Sequence, residues 1–187
     1  SIVGARPQFI KCAPLSQLIR EKHEEILIHT GQHYDIRMSD IFFDELRIPE
    51  PNYNLGVGSD SHGVQTGKML IEIEKILLRE GPDFVLVYGD TNSTLAGNIA
   101  ASKLHIKTAH VEAGLRSFDR FMPEEINRVL TDHISDILFC PTETAVLNLK
   151  KEGITTGVYN IGDVMLDSLK YNIKIAEQKA TILEELN

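Results

Sequence analysis

Phe84-Val-Leu-Val-Tyr-Gly-Asp-Thr-Asn-Ser93 is the stretch on which the fold turns, and Lys107-Thr-Ala-His-Val-Glu-Ala-Gly-Leu-Arg116 repeats its pattern. Each opens as a short apolar and β-branched run and ends abruptly in small and acidic residues. Such a run, with no polar alternation, reads as a strand of a parallel sheet buried on both faces. Between the two, residues 91–104 carry small and apolar residues at helical spacing (Leu95, Ile99, Ala100, Leu104), with Thr91, Asn92 or Ser93 available as the N-cap. The product is a βαβ unit with a right-handed crossover. Asp90 and Glu112 then fall just past the carboxyl ends of two parallel strands, where open α/β sheets bind their ligands. Two carboxylates on one rim are candidates for acid–base work on a substrate. The alternative is that Asp90 only caps the following helix and Glu112 only orders its loop. Spacing alone does not choose between them.

The same alternation extends in both directions. Ile2 and Val3 end a first strand that runs into Gly4-Ala-Arg-Pro7, and Ile10, Ala13, Leu15, Leu18 and Ile19 trace a helix after it. Gly4 permits a tight strand-to-helix turn, and the helix amino end beyond it suits an anion. Arg6 adds a bidentate phosphate donor and Lys11 a second charge; for Arg6 the other reading is a structural ion pair. The Gly-x-Gly-x-x-Gly fingerprint is absent here, so a nicotinamide cofactor is not expected. Residues 25–30 form a second strand that ends in Gly31-Gln-His-Tyr-Asp35, which makes His33 a ligand-contact candidate. A helix is expected over 39–46, closed by the prolines of Ile48-Pro-Glu-Pro-Asn52. The glycine- and serine-rich segment 56–67 reads as a loop over the rim that opens a helix to about Arg79. Gly63-Val-Gln-Thr-Gly-Lys-Met69 within it is no phosphate loop, because the first glycine is misplaced and Met69 stands where a hydroxyl is needed. Pro123 starts a helix whose positive end suits Glu124 and Glu125, with Ile126, Val129, Leu130 and Ile134 as its buried face. A strand over 137–140, a helix to Glu152, a last strand over 158–161 and a helix over 164–177 complete one Rossmann-like, doubly wound α/β domain. We place that domain at residues 1–178, with 179–187 as a linker toward a further, carboxyl-terminal domain.

A chain of 187 residues supports one well-formed core. Its net charge of −8 argues against a nucleic-acid surface, which needs a basic footprint. No apolar run approaches the length of a membrane span. Cys12 and Cys140 lie far apart with no Cys-x-x-Cys partner, which fits buried, reduced thiols and a cytoplasmic location. His110-Val-Glu112 has the His-x-Glu spacing of zinc deaminases but not their second cysteine motif, so no metal is expected. Ser1-Ile-Val-Gly begins inside a strand without methionine, and we expect both ends to have been cut.

Gly4-Ala-Arg-Pro-Gln-Phe-Ile-Lys11, Thr30-Gly-Gln-His33, Val87-Tyr-Gly-Asp-Thr-Asn-Ser-Thr94, His110-Val-Glu-Ala-Gly-Leu-Arg116, Pro123-Glu-Glu-Ile-Asn-Arg128 and Pro141-Thr-Glu-Thr144 occur in this order. Together they resemble the amino-terminal half of the non-hydrolysing UDP-N-acetylglucosamine 2-epimerases. One departure is Ala5, where that family usually has threonine. The resemblance covers essentially the whole chain and implies half of a two-domain, glycosyltransferase-B-type fold that closes on a cleft and works as a homo-oligomer, a dimer. It implies a UDP-sugar substrate, no cofactor, and interconversion of UDP-N-acetylglucosamine and UDP-N-acetylmannosamine for cell-surface polysaccharide. By motif, Asp90, Glu112 and Glu124 match the catalytic acids, and Arg6 matches an arginine at the diphosphate. Lys11, Gln32, His33 and Arg116 complete the implied substrate-binding set. Gln32 and His33 match a region linked in bacterial members to allosteric binding of a second UDP-sugar, and the residues after them diverge. The alternatives are the hydrolysing relatives, which release free sugar, and a non-catalytic binding or interaction domain.

Overall fold

The strands of the computed structural model, which describes residues 1–32, 43 and 45–179, are β1 (Ile2–Val3), β2 (Ile28–His29), β3 (Tyr53–Asn54), β4 (Phe84–Tyr88), β5 (Lys107–Val111), β6 (Ile137–Cys140) and β7 (Val158–Asn160). They form one sheet in the order β3-β2-β1-β4-β5-β6-β7. Every pairing is parallel, with Ile2 opposite both Ile28 and Val87, and β4 paired with β5 along its whole length. The described helices are α1 (Arg6–Arg20), α2 (His62–Glu80), α3 (Asn92–Lys103), α4 (Pro123–Ile134), α5 (Glu143–Lys151) and α6 (Val164–Lys179). This is the doubly wound Rossmann-like architecture expected from the βαβ signals. The expected boundary at residue 178 falls in the last turn of α6, and 180–187 lie outside the described residues, as does most of the helix expected over 39–46.

Side chains on successive strand residues point to opposite faces, so each strand feeds two cores. Ile2, Val85 and Val87 pack with Met69, Ile73, Ile76 and Leu77 of α2 and with Ala96, Ala100 and Ala101 of α3. Val3, Tyr88 and Val111 face the other way, onto Phe9, Cys12 and Ala13 of α1. α3 is buried nearly all round because its residues are small. A Cβ on Gly97 would stand 2.7 Å from Ile2 Cδ1, so this glycine sets how closely α3 approaches β1. Both cysteines are buried, and burial pushes the Cys12 thiol up to about 12 and that of Cys140 to about 11.

Two features differ from expectation. β3 is a seventh strand, invisible in the sequence because two residues carry no period. α4 is turned over: Ile126, Leu130 and Ile134 are exposed at 44%, 46% and 38%, while Glu125, Asn127, Thr131 and Asp132 are buried. The polar stripe of α4 faces inward because buried partners on α3, the β5–α4 loop and β5 itself bond to it.

Candidate active site at the carboxyl edge of the sheet

β1 and β4 are neighbours, yet the chain leaves them toward opposite edges of the sheet, which makes the crevice above their seam the expected ligand position. Gln8 locks that seam. Its Oε1 accepts from the Gly4 and Ala5 N–H groups at 2.7 and 3.0 Å, and its Nε2 donates to the Tyr88 carbonyl at 2.8 Å and Thr94 Oγ1 at 3.0 Å. Gly4 has no room for a side chain, since a Cβ would lie 2.0 Å from Thr30 Oγ1 and 2.2 Å from Ser93 Oγ. Arg6, the first residue of α1, is exposed on this rim.

Asp90 follows β4 and Glu112 follows β5, so the two acids leave adjacent parallel strands at the same edge. Glu112 sits at φ 75°, a left-handed conformation that costs a residue with a Cβ on the order of 1–3 kcal/mol. The turn throws its side chain back over the sheet, where Oε2 pairs with Lys11 Nζ of α1. A Cβ on Gly89 would stand 3.3 Å from both of those atoms, so the pair lies directly against the turn that carries Asp90. Asp90 is held from the other side by α4. Its Oδ2 accepts from Nε of Arg128 at 3.1 Å and also from Nη2, and its carbonyl accepts from Asn127 Nδ2 at 2.9 Å. Among the described residues nothing hydrogen-bonds to Glu112 Oε1 or Asp90 Oδ1, which leaves each acid one open oxygen. Glu124 is exposed on the first turn of α4, whereas Glu125 is buried and accepts from the Ser117 and Phe118 N–H groups, both at 2.9 Å.

Beneath this rim lies a buried ionic frame. His110 presents Nδ1 to Asp132 Oδ1 at 2.7 Å and Nε2 to the Gly89 carbonyl at 2.6 Å. Asp132 Oδ2 accepts from the Gly114 N–H at 3.0 Å and from Arg116 Nη1 at 2.6 Å. Burial alone would raise the Asp132 carboxyl, but the hydrogen bond and charge of His110, with Arg116, hold it below its ordinary range. An ionised Asp132 and a carbonyl both only accept, so both ring nitrogens of His110 face acceptors.

The frame also engages two residues of the expected substrate-binding set. Arg116 does not reach the rim: its side chain is 1% exposed, and it donates to Asp132, to the Leu115 carbonyl and through two 2.7 Å bonds to Glu152. Lys11 carries its charge to Glu112 rather than outward. Gln32 turns its carboxamide oxygen to Ser93, at 3.0 Å from the N–H and 2.6 Å from Oγ, and so braces the amino end of α3. His33 lies outside the described residues. Sequence reasoning missed Arg128, Asn127, His110 and Asp132 as parts of this machinery. The available signal was the polar stripe Glu125, Arg128, Asp132, which has the same helical spacing as the apolar one. A larger cavity, about 670 Å³, opens at the opposite, amino edge between Ile26, Leu77 and Phe84, away from these acids.

The family profile described as UDP-N-acetylglucosamine 2-epimerase matches residues 17–187. The chain belongs to the UDP-N-acetylglucosamine 2-epimerase family. It is similar over its whole length, at 71% identity, to a UDP-N-acetylglucosamine 2-epimerase homolog of Methanococcus maripaludis, of which it covers 53%. It is 54% identical to a UDP-2,3-diacetamido-2,3-dideoxy-D-glucuronate 2-epimerase of Pseudomonas aeruginosa and covers 56% of that protein. The crystal structure of the Methanocaldococcus jannaschii UDP-GlcNAc 2-epimerase in complex with UDP-GlcNAc and UDP matches 97% of this chain with a TM-score of 0.94 and 55% identity, and the match takes in 51% of that structure. The chain thus spans about half the length of the 2-epimerases it resembles.

Proposed function

We propose that this chain is the amino-terminal, acid-bearing half of a non-hydrolysing UDP-N-acetylglucosamine 2-epimerase. The observation that supports this most is the pairing of Asp90 and Glu112 on adjacent strand ends, each held by one cation and each with one oxygen open. The chemistry asks for such a pair. The C2–H of a sugar is not acidic, so its removal is coupled to loss of UDP from C1. Positive charge builds on the ring as the C1–O bond breaks, and an aimed carboxylate stabilises it while another accepts the C2 proton. The resulting 2-acetamidoglucal takes UDP back at C1 and a proton at C2 on the opposite face. Two faces require proton carriers on different sides of the ring, and Glu124 on α4 stands on a different element from the strand-end acids. Arg6, at the amino end of α1, offers the diphosphate its charge. The opposing wall of the cleft belongs to a second domain, and the intact enzyme is a cytoplasmic homodimer serving cell-surface polysaccharide.

In the two-domain enzyme, Glu112→Gln or Asp90→Asn should lower turnover roughly a hundredfold or more, the usual scale for a lost acid–base group. UDP affinity, read by calorimetry, should change little. Deuterium incorporation at C2 from heavy water reports the proton step directly, and unchanged exchange in either variant removes that residue from the mechanism. Free N-acetylmannosamine among the products, seen by NMR, would point to the hydrolysing reaction instead. A second substrate reading is favoured by the 54% identity to the diacetamido-glucuronate enzyme, a level close to that of the UDP-GlcNAc relatives at 56–57%. The C2 chemistry is the same for either sugar, so assaying both substrates decides between them.

A further inference from the structure

We infer that Arg128 is a positioning residue for Asp90, and that Glu125 joins it to the loop behind Glu112 so that the two acids are aimed as one unit. This rests on the epimerase reading of the same site. Arg128 has a guanidinium with two jobs. Nε and Nη2 grip a single Asp90 oxygen, Oδ2, and Nη1 donates to Glu125 Oε2 at 3.0 Å. Glu125 is 3% exposed, and its two oxygens receive the N–H groups of Ser117 and Phe118. Burial alone would raise the Glu125 carboxyl, but those N–H groups, the Ser117 hydroxyl and Arg128 leave it lowered, so it is a firm anionic anchor for the guanidinium.

The consequence for Asp90 is directional. Its side chain is 31% exposed, and an aspartate with that freedom at a rim would sample several rotamers. Arg128 fixes one oxygen and Asn127, the residue before it, fixes the carbonyl of the same residue at 2.9 Å. Side chain and backbone of Asp90 are therefore set by two consecutive residues of α4, and Oδ1 is left without a hydrogen-bond partner among the described residues. The far end of the strut closes the loop. Ser117 and Phe118 belong to the segment that descends from Glu112, and Phe118 stands at φ 60°, a left-handed position that its bond to Glu125 helps to hold. The path Glu112–loop–Glu125–Arg128–Asp90 is thus continuous through covalent chain and charge-assisted hydrogen bonds. α4 does not need Arg128 to stay docked, because Asn98 Nδ2 donates to the Thr131 carbonyl at 2.9 Å and Asp132 anchors the same helix to His110.

A double-mutant cycle in the two-domain enzyme tests this. Arg128→Ala should lower kcat roughly ten- to a hundredfold with KM for the UDP-sugar changed by no more than about threefold, because aim is lost and ground-state binding is not. In an Asp90→Asn background the same substitution should have almost no further effect, the signature of a residue that acts through another. Added guanidinium ion should recover part of the lost kcat in Arg128→Ala and leave the wild type unchanged. Arg128→Lys, which retains the charge and a donor, should fall between the two and serves where the alanine variant does not fold. Full kcat in Arg128→Ala, or an equal further loss on top of Asp90→Asn, overturns the inference. A wild-type two-domain enzyme that neither epimerises the UDP-sugar nor exchanges its C2 proton overturns instead the functional reading beneath it.

Discussion

Replacing Asp132 by asparagine changes one atom at the centre of the ionic frame and nothing in its shape. The Asp132 and His110 side chains are fully buried and that of Arg116 is 1% exposed, so this carboxylate pairs with a guanidinium and bonds an imidazole where water hardly reaches. Removing one member of a buried pair leaves uncompensated charge, at about 3–5 kcal/mol. Two features moderate the loss here. Arg116 keeps its two bonds to Glu152, and the new amide still offers His110 Nδ1 a polar partner. We therefore expect the lower end, about 3 kcal/mol, which for a chain of this size lowers Tm by roughly 6–12 °C. Thermal unfolding followed by circular dichroism at neutral pH measures it. Nitrogen-15 NMR of the histidine ring gives an independent reading, since the His110 Nδ1 resonance should move when its carboxylate partner becomes an amide. A Tm within about 2 °C of the native value, or an unmoved His110 Nδ1 resonance in Asp132→Asn, would refute the ionic frame.

Acid should act through the same groups. Asp132 and Glu125 are held below their ordinary values of 3.8 and 4.5, so their stabilisation is complete above about pH 5 and fades as pH falls through 4 toward the lower folded values. Tm should drop between pH 5 and 3, with a shallower slope in Asp132→Asn; a flat profile would count against the frame. Two glycines should respond oppositely to alanine. At Gly114, φ is +80° and a Cβ would meet the Ala145 carbonyl oxygen at 2.5 Å, so Gly114→Ala should destabilise by about 2 kcal/mol or more. Gly67→Ala, inside α2 with nothing within 4 Å, should stabilise by about 0.5–1 kcal/mol, and denaturant titration of both variants checks the pair. On the proposed two-domain reading, residues 1–187 alone should bind UDP weakly and turn over no substrate, since the opposing half supplies the orienting wall of the cleft, worth up to about 7–11 kcal/mol of barrier. Turnover near that of the two-domain enzyme, before the second half is added, would sink that expectation.

The central βαβ unit was legible because β4 and β5 are apolar runs long enough to have no other reading, and the acids follow them directly in the chain. What the sequence could not show was which groups these side chains bond. Lys11 and Arg116 lie beside anion-binding motifs in the sequence, yet Lys11 bonds a carboxylate 101 residues away and Arg116 one 36 residues away. Periodicity carries no information about such pairings. The face of α4 failed for a related reason. Ile126, Leu130 and Ile134 form a proper amphipathic stripe, but so do Glu125, Arg128 and Asp132, and buried hydrogen-bond partners decided which one turned inward. Glu124 and Glu125 look alike in the sequence. Only the loop backbone at Ser117 and Phe118 separates the exposed acid from the anchored one.

The pairing of Ile2 with Val87 also sets a clock. A ribosome adding about 5–20 residues per second makes β1 on the order of ten seconds before β4 exists to lie beside it. Through that interval one edge of β1 has backbone groups without a strand to bond, and the Gln8 carboxamide lacks its Tyr88 and Thr94 partners. The crevice that holds the acids therefore lies over the junction that waits longest for its second strand, since no other neighbouring strands in the sheet are so far apart in the chain. A chain stalled before Val87 presents an open strand edge, so slow codons or a chaperone binding site in the region between β3 and β4 would bear directly on how much correctly paired protein is made.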